Sequence, residues 1–109
     1  MYLTMNRFKV KAGEEAAFEE MWKSRDSHLP EVPGFVSFHL FKGPEANGER
    51  LYASHTMWVS EDAFKDWTRS EAFRAAHRGA GGHQGVILGH PQLEVFEAVQ
   101  TITAPAVPA

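Results

Sequence analysis

The segment "FKDWTRSEAFRAAHR", residues 64–78, carries a tryptophan and a histidine in a stretch of helical composition, Trp67 and His77. In one unbroken helix these side chains would point roughly 80° apart and lie about three turns from each other. Ser70 offers a break, because it is a good N-cap residue and Glu71 would stand in the first turn of a new helix. Two short helices that meet at an angle can bring Trp67 and His77 to one site.

Histidine is the residue type that any metal chemistry must use, because the chain has six histidines and no cysteine. The lack of cysteine excludes a disulfide framework, an iron–sulfur cluster, a thiolate haem ligand and a cysteine nucleophile. His39 and His55 would lie directly opposite each other if their hairpin is symmetric about Asn47, and two imidazoles can hold one metal ion. No carboxylate accompanies them on that face, so we favour polar pairing of these histidines in a subunit interface.

Composition limits the class of protein. With 109 residues, 43% hydrophobic and 23% charged, the chain has the composition of one globular domain. A net charge of −3 gives no electrostatic footprint for nucleic acid. No apolar run approaches the ~20 residues of a membrane-spanning helix, and the first residues do not form a signal peptide. We therefore expect a cytoplasmic protein that binds neither nucleic acid nor a membrane.

Hydropathy patterns predict the elements that position these residues. Alternation over residues 2–10 predicts a strand with Asn6 on the face of Phe8. A first helix is expected from Gly13 to about Arg25. Further strands are predicted at 35–42, 51–59 and 93–102, with a loop at 43–49 and helices after Ser60 and Ser70. This order predicts a ferredoxin-like α+β sandwich, an antiparallel sheet with helices on one face. The domain should span 1–103, with a disordered Pro/Ala tail at 104–109.

Both faces of the predicted hairpin are largely apolar. One face would carry Val36, Phe38 and Leu40, and the other Phe35 and Phe41. Helices can cover only one face of the sheet in so short a chain. The pattern therefore predicts a homodimer whose sheets pack into a barrel.

Several motifs resemble one family. They are the pair Asn6 and Arg7, "PGF" at 33–35, "MWVSEDAFKDW" at 57–67 and "SEAFRAAH" at 70–77. Together they resemble the antibiotic biosynthesis monooxygenase superfamily, and within it the IsdG-type haem-degrading monooxygenases. The specific part of the resemblance is a triad of Asn, Trp and His, which falls here on Asn6, Trp67 and His77.

The resemblance implies a function for each member of the triad. His77 would ligate the haem iron, Asn6 would donate a hydrogen bond on the oxygen side, and Trp67 would push the porphyrin out of plane. Haem would be both substrate and cofactor, opened with O2 and electrons from an external donor or reductase to release iron and a bilin-type product. The expected pocket walls and propionate partners are Trp22, Arg25, Phe64 and Phe73.

Simpler interpretations exist for each residue alone. His77 could be solvated at a helix C-terminus, Trp67 could be core, and Asn6 could be satisfied by backbone or water. Two other functions also stay open, a cofactor-independent monooxygenase of polycyclic phenols or quinones and a non-enzymatic haem carrier. His83 and His90 are alternative iron ligands. The glycine-rich stretch around His83 is not a dinucleotide fingerprint, because its glycine spacing is wrong and it follows a helix.

Overall fold

The sheet has the strand order of a ferredoxin-like fold. The computed structural model describes residues 1–24, 29–70 and 86–105. Across them the chain forms β1 (Tyr2–Lys11), α1 (Glu15–Ser24), a 3-10 helix (Leu29–Glu31), β2 (Phe35–Ala46), β3 (Glu49–Trp58), α2 (Glu61–Thr68) and β4 (Ile87–Glu97). The strands lie in the order β2-β3-β1-β4, and every neighbouring pair is antiparallel. This is the split βαβ arrangement, so the predicted ferredoxin-like sandwich is confirmed. No helix within the described ranges is long and apolar enough to cross a membrane.

Both helices pack on the same face of the sheet. In α1, Phe18 is fully buried, and its ring centroid lies 5.5 Å from that of Phe8 and 4.7 Å from that of Tyr52. In α2, the Phe64 ring lies 6.0 Å from Tyr2. Because alternate residues of a strand share a face, Tyr2 and Phe8 point to one side of β1. We call this side the helix face and the opposite side the open face.

Local signals fix where α2 begins. The Ser60 hydroxyl accepts a hydrogen bond from the Ala63 amide at 3.2 Å, which is the predicted N-cap. Gly34, in the loop before β2, has φ +83° and lies so close to α2 that a Cβ there would clash with the Ala63 side chain. Its carbonyl accepts a hydrogen bond from the Val59 amide at 2.9 Å. The "PGF" motif therefore holds the start of β2 against the start of α2.

The β2–β3 hairpin is longer than predicted. Its strands run through the expected loop at 43–49 to a two-residue turn at Asn47 and Gly48, with φ of 55° and 79°. Positive φ at both positions is typical of a type I′ turn, which matches the twist of the flanking strands. A register shift between Lys42 and Glu45 then compensates for the displaced turn. His39 and His55 are therefore Cα partners, as predicted.

A second register shift, between Phe35 and Ser37, overturns the predicted placement of two residues. Phe35 is the Cα partner of Trp58, and its ring lies 6.0 Å from the indole on the helix face. Val36 is 43% exposed and does not join the helix face. The prediction from alternating residues failed here because a bulge inserts one extra residue into β2. The residues before the bulge therefore point to the opposite face of the sheet from the one predicted.

The last strand begins earlier and ends earlier than the predicted 93–102. Ile87 and Leu88 already pair with Val10 and Lys9, and Gly89, with φ +76°, follows them where the register shifts. The strand ends at Glu97, opposite Tyr2, and the Ala98 amide donates one further hydrogen bond to the Met1 carbonyl at 2.9 Å. The helix predicted after Ser70 and the end of the first predicted helix at Arg25 lie outside the described residues, as does the end of the tail.

Candidate functional site

The centre of the helix face is polar. Asn6 on β1 is the Cα partner of Ser54 on β3, and Thr4 is the partner of Thr56. Three of these residues are buried, with exposures of 6% for Thr4, 5% for Ser54 and 9% for Thr56. Asn6 is half-buried. We call these four residues the polar floor.

An aromatic cluster lies on each side of the polar floor. The α1 cluster is Phe8, Phe18, Trp22, Phe38 and Tyr52. The α2 cluster is Tyr2, Phe35, Trp58, Phe64 and Trp67. Phe8 and Tyr2 flank the floor residues along β1, so the polar floor separates the two clusters. Trp22 and Trp67, both expected in one site, therefore stand on opposite sides of it, while Phe64 lies beside Trp67.

Trp67 is held at one end of the polar floor. Its ring centroid lies 5.3 Å from that of Trp58 and 6.4 Å from that of Phe64. Trp58 is fully buried, and its indole Nε1 donates a hydrogen bond to the Thr4 hydroxyl at 3.1 Å. Asn6 is four residues along β1 from Tyr2, the partner of Trp58, a span of roughly 13 Å at the usual rise of a strand. Trp67 and Asn6 are therefore held at two separate points along the helix face of β1.

The residues of the polar floor differ in their hydrogen bonding. The side chains of Asn6 and Ser54 make no hydrogen bond to another residue of the described ranges, whereas the Thr4 hydroxyl is engaged by Trp58. On β4, Leu93 is the partner of Asn6 and Val95 the partner of Thr4, and they are 57% and 45% exposed. An exposed apolar strip therefore borders the unengaged amide.

Sequence reasoning missed three of these residues. Leu93 and Val95 fall in a strand that was predicted correctly at these positions, and its pairing with β1 would have placed them beside Asn6. Ser54 required the register of β3 against β1, which the sequence alone does not provide. Its signal was a serine inside a predicted strand, between Ala53 and His55.

The α1 side carries a separate polar group. The Tyr52 hydroxyl donates to the Glu19 carboxylate at 2.5 Å, and Lys42 Nζ lies 3.4 Å from the same carboxylate. Burial, and then the bond to Glu19, raises the pKa of Tyr52. The hydrogen bond from Tyr52, with help from Lys42, lowers the pKa of Glu19. Trp22 and Phe38 line a cleft of about 240 Å³ beside this group.

Three of the predicted site residues lie outside the described part of the chain, namely Arg25, Phe73 and His77. Among the described residues no group of three or more histidine, aspartate or glutamate side chains could hold a metal ion. The iron-ligating function of His77 therefore stays a prediction.

Comparisons with known proteins identify the family. Residues 1–79 match the family described as antibiotic biosynthesis monooxygenase. The staphylobilin-producing haem oxygenase of Staphylococcus saprophyticus is 34% identical over 80 residues, 72% of this chain and 75% of that protein. The structure of the haem degrader MhuD from Mycobacterium tuberculosis, with two haems in its active site, matches with a TM-score of 0.70. It is 30% identical over 94% of this chain and 100% of that chain.

The chain belongs to the antibiotic biosynthesis monooxygenase family, and its resemblance to the haem-degrading members is confirmed. SnoaB, a cofactor-independent oxygenase from Streptomyces nogalater, matches with a TM-score of 0.65 over 93% of this chain and 95% of its own. Its identity is 24%, so this match shows the fold alone.

Proposed function

We propose that this protein is a haem-degrading monooxygenase of the cytoplasm. It binds haem, opens the porphyrin ring with O2 and electrons from an external donor or reductase, and releases iron and a bilin-type product. The observation that carries the proposal is the unengaged amide of Asn6 beside the exposed Leu93 and Val95. Haem is a large apolar disc that needs such a wall, together with a polar group on its reacting side. The haem oxygenase and the haem degrader among the relatives support the same substrate.

Asn6 acts on the reacting side of the haem. A carboxamide has two N–H donors and keeps them at neutral pH, so it can stabilise negative charge without losing a proton. Its place on the sheet, between two paired strands, gives it a rigid support. A donor aimed in advance at developing charge is worth more than one that must reorient.

Trp67 acts by steric pressure, and His77 by ligation. The indole of Trp67 is backed by the buried Trp58, so it cannot retreat when a flat ligand presses on it. His77 supplies the neutral imidazole that binds iron, a role supported by the "SEAFRAAH" motif inside the matched residues 1–79. Phe64 and Phe73 act as walls with Trp22, and Arg25 pairs with a propionate.

The protein works as a homodimer that buries the open face in an α/β barrel. That face carries seven apolar side chains, Leu3, Met5, Leu51, Ala53, Met57, Leu88 and Phe96, together with the ring of Phe41. Phe41 and Phe96 are 50% and 46% exposed. Polar side chains interrupt this surface, among them Arg7 and Glu94, which form an ion pair at 2.6 Å. The exposed apolar side chains are what a water-facing side of an antiparallel sheet normally lacks. A second copy covers this surface with an identical one.

Haem titration followed by reduction tests the function. We expect a saturable Soret band when haem is added to the apo-protein, and loss of that band with formation of a bilin when ascorbate is added in air. Mass spectrometry identifies the product. Absence of a saturable band would favour an oxygenase of phenols or quinones, and a Soret band that persists under ascorbate would favour a haem carrier.

The ligand is tested by replacing histidines one at a time. His77→Ala should abolish the wild-type Soret and charge-transfer bands while the far-UV circular dichroism is unchanged. His83→Ala and His90→Ala should keep those bands. The assignment of His77 is wrong if its variant keeps the wild-type spectrum, or if either of the others loses it.

A further inference from the structure

Two histidines and a phenylalanine form a cluster on the open face of the sheet. His39 on β2 and His55 on β3 are Cα partners, and their ring centroids lie 6.1 Å apart. The Phe41 ring contacts both imidazoles, with centroid distances of 5.4 Å to His39 and 5.6 Å to His55. We call these three residues the histidine cluster, and it lies on the surface that a second copy covers in the proposed homodimer.

One nitrogen of the histidine cluster is buried without a hydrogen bond. Nδ1 of His55 has no partner among the described residues, whereas His39 is exposed in the single chain. A neutral imidazole with its proton on Nε2 presents Nδ1 as an acceptor. An imidazolium carries N–H groups on both nitrogens, so protonation of His55 would bury a donor that has no acceptor. The position therefore suits a neutral ring that accepts a hydrogen bond from outside the chain.

The charged groups that face the histidine cluster in the described part of the chain are Arg7 and Glu94. The row across the sheet that begins with His39 and His55 continues with Met5 on β1 and Glu94 on β4. Glu94 is two strands from His55, about 10 Å, and its carboxylate pairs with Arg7 at 2.6 Å. Both helices pack on the other face. The remaining open-face side chains in this row and in the rows beside it carry no charge: Leu3, Ser37, Ala53, Met57, Gln92 and Phe96.

A second copy would add the same residues to this surface, because a twofold interface uses one patch on both chains. Covering the open face removes the water that would solvate an imidazolium, and the Arg7–Glu94 pair has no net charge with which to replace it. Each chain contributes two imidazoles. Full protonation would therefore place four positive charges in one largely apolar interface.

We propose that the histidine cluster is a pH-sensitive switch, which allows two open faces to associate when its imidazoles are neutral and separates them when the imidazoles are protonated. In the dimer, Nδ1 of His55 accepts a hydrogen bond from a donor of the second copy. Protonation turns this nitrogen from an acceptor into a donor and breaks that bond. Histidine gains its charge between about pH 8 and 5, so association weakens as the pH falls through this range.

This inference rests on the homodimer of the proposed function, and it adds the control of that dimer by pH. The size of the effect follows from linkage between protonation and association. A free imidazole side chain is half protonated near about pH 6.5, so an interface that accepts only the neutral form binds about tenfold more weakly at about pH 5.5. One tenfold step is the least that the switch predicts, because each chain contributes two imidazoles.

The first experiment measures the dimer dissociation constant of the apo-protein by sedimentation equilibrium at about pH 8 and about pH 5.5, at one ionic strength. The wild-type constant should rise at least tenfold at the lower pH. The double variant His39→Gln/His55→Asn carries neutral amides, and the asparagine places an oxygen where Nδ1 lies. Its constant should change less than about threefold. His39→Gln alone, at an exposed position, should reduce the wild-type rise.

Glu94→Gln is the matched control, because it removes the carboxylate that shares the row with the histidines. It should keep the tenfold rise, which separates the histidines from the carboxylate. Far-UV circular dichroism should be the same at both pH values, which separates dissociation from unfolding.

The second experiment follows the imidazole protons of His39 and His55 by NMR as the pH is lowered. Because the dimer holds the neutral form, the midpoints of both titrations should move to lower pH as the protein concentration rises. The midpoints should be independent of concentration under conditions where the chain is monomeric.

The inference is overturned if the wild-type dissociation constant rises less than tenfold, or if the double variant keeps the wild-type rise. It is also overturned if the rise is accompanied by loss of the circular dichroism signal, since unfolding would then be the cause. In each case the homodimer and the haem-degrading function stand. A wild-type protein that is monomeric at about pH 8 overturns the homodimer and this inference together, while haem titration tests the activity separately.

Discussion

The indole nitrogen of Trp58 donates a hydrogen bond to the hydroxyl of Thr4, across 3.1 Å in the interior of the helix face. This bond ties the α2 cluster to the polar floor, because Trp58 contacts Trp67 while Thr4 lies two residues from Asn6. The tryptophan and the asparagine of the proposed site are thus supported by one bonded pair. Their relative position does not depend on the helix alone.

Thr4→Val should lower the free energy of unfolding by about 1–3 kcal/mol, because the isosteric change leaves a buried indole N–H without an acceptor. Urea unfolding of the apo-protein measures it. Thr56→Val is the matched comparison, since Thr56 is the partner of Thr4 and its hydroxyl bonds to no other described residue. Equal losses in both variants would show that the bond is not the cause.

Gly34→Ala should lower the free energy of unfolding by about 2–4 kcal/mol, from a positive φ of 83° and from a clash with Ala63. Gly48→Ala separates the two causes, because Gly48 has φ +79° but no atom within 4 Å of the point where its Cβ would lie. It should cost only about 1–2 kcal/mol. If the two variants lose the same amount, the contact between the loop and α2 carries no stability.

The order of elements followed from the sequence because each has its own hydrophobic period. Alternation in residues 2–10 and the Ser60 cap were local signals, and both were confirmed. The ends of the strands and their pairing register were harder to predict from the sequence. The bulge that turns Val36 outward depends on how β2 meets β3, and a one-residue slip changes the face of every side chain before it.

The candidate site divides in the same way. Asn6 and Trp67 could be named because a motif marks them, and the structure places both on the helix face. Ser54, Leu93 and Val95 carry no motif, and only the pairing of β1 with its two neighbours brings them to Asn6. A site assembled by register is visible once the sheet is known.

Tyr52 should make the free energy of unfolding fall at alkaline pH. Its pKa is raised in the folded protein by burial and by Glu19, so the unfolded chain ionises first, and stability falls as pH rises above about 10. Glu19 has a lowered pKa, so its contribution is present above about pH 4 and is lost as pH falls through the folded value. In Tyr52→Phe the free energy of unfolding should fall less at both acid and alkaline pH than in the wild type, as measured by urea unfolding between about pH 3 and 11.

The second tyrosine provides the comparison for this pH dependence. The chain has two tyrosines, and the pKa of Tyr2 is also raised, first by burial and then by Glu61. Tyr2→Phe should therefore reduce the loss of stability at alkaline pH and leave the loss at acid pH unchanged. If Tyr52→Phe keeps the wild-type pH dependence of the free energy of unfolding, the bond between Tyr52 and Glu19 does not contribute to stability in solution.

Trp67→Ala should slow haem degradation while haem still binds, because it removes the steric pressure on the porphyrin. The haem methyl NMR shifts should become more symmetric, and Trp67→Phe should be milder on both measures. The apo-protein should lose roughly 1–3 kcal/mol of stability in Trp67→Ala, less than for a fully buried tryptophan, since Trp67 is half-buried. Wild-type turnover with unchanged methyl shifts would remove Trp67 from the mechanism.

The open face should make the protein a dimer at micromolar concentration, and light scattering should give twice the chain mass of 12.2 kDa. His39 and His55 lie opposite each other on that face with ring centroids 6.1 Å apart, and Nδ1 of His55 is buried with no hydrogen-bond partner among the described residues. A second copy can supply that partner while it covers the apolar side chains.

Phe41→Glu places a charge in this surface and should give monomers. Val99→Glu, at a position 96% exposed beyond β4, should leave the dimer intact. A wild-type protein that scatters as a monomer would contradict the barrel, because association through a surface this apolar should be tight.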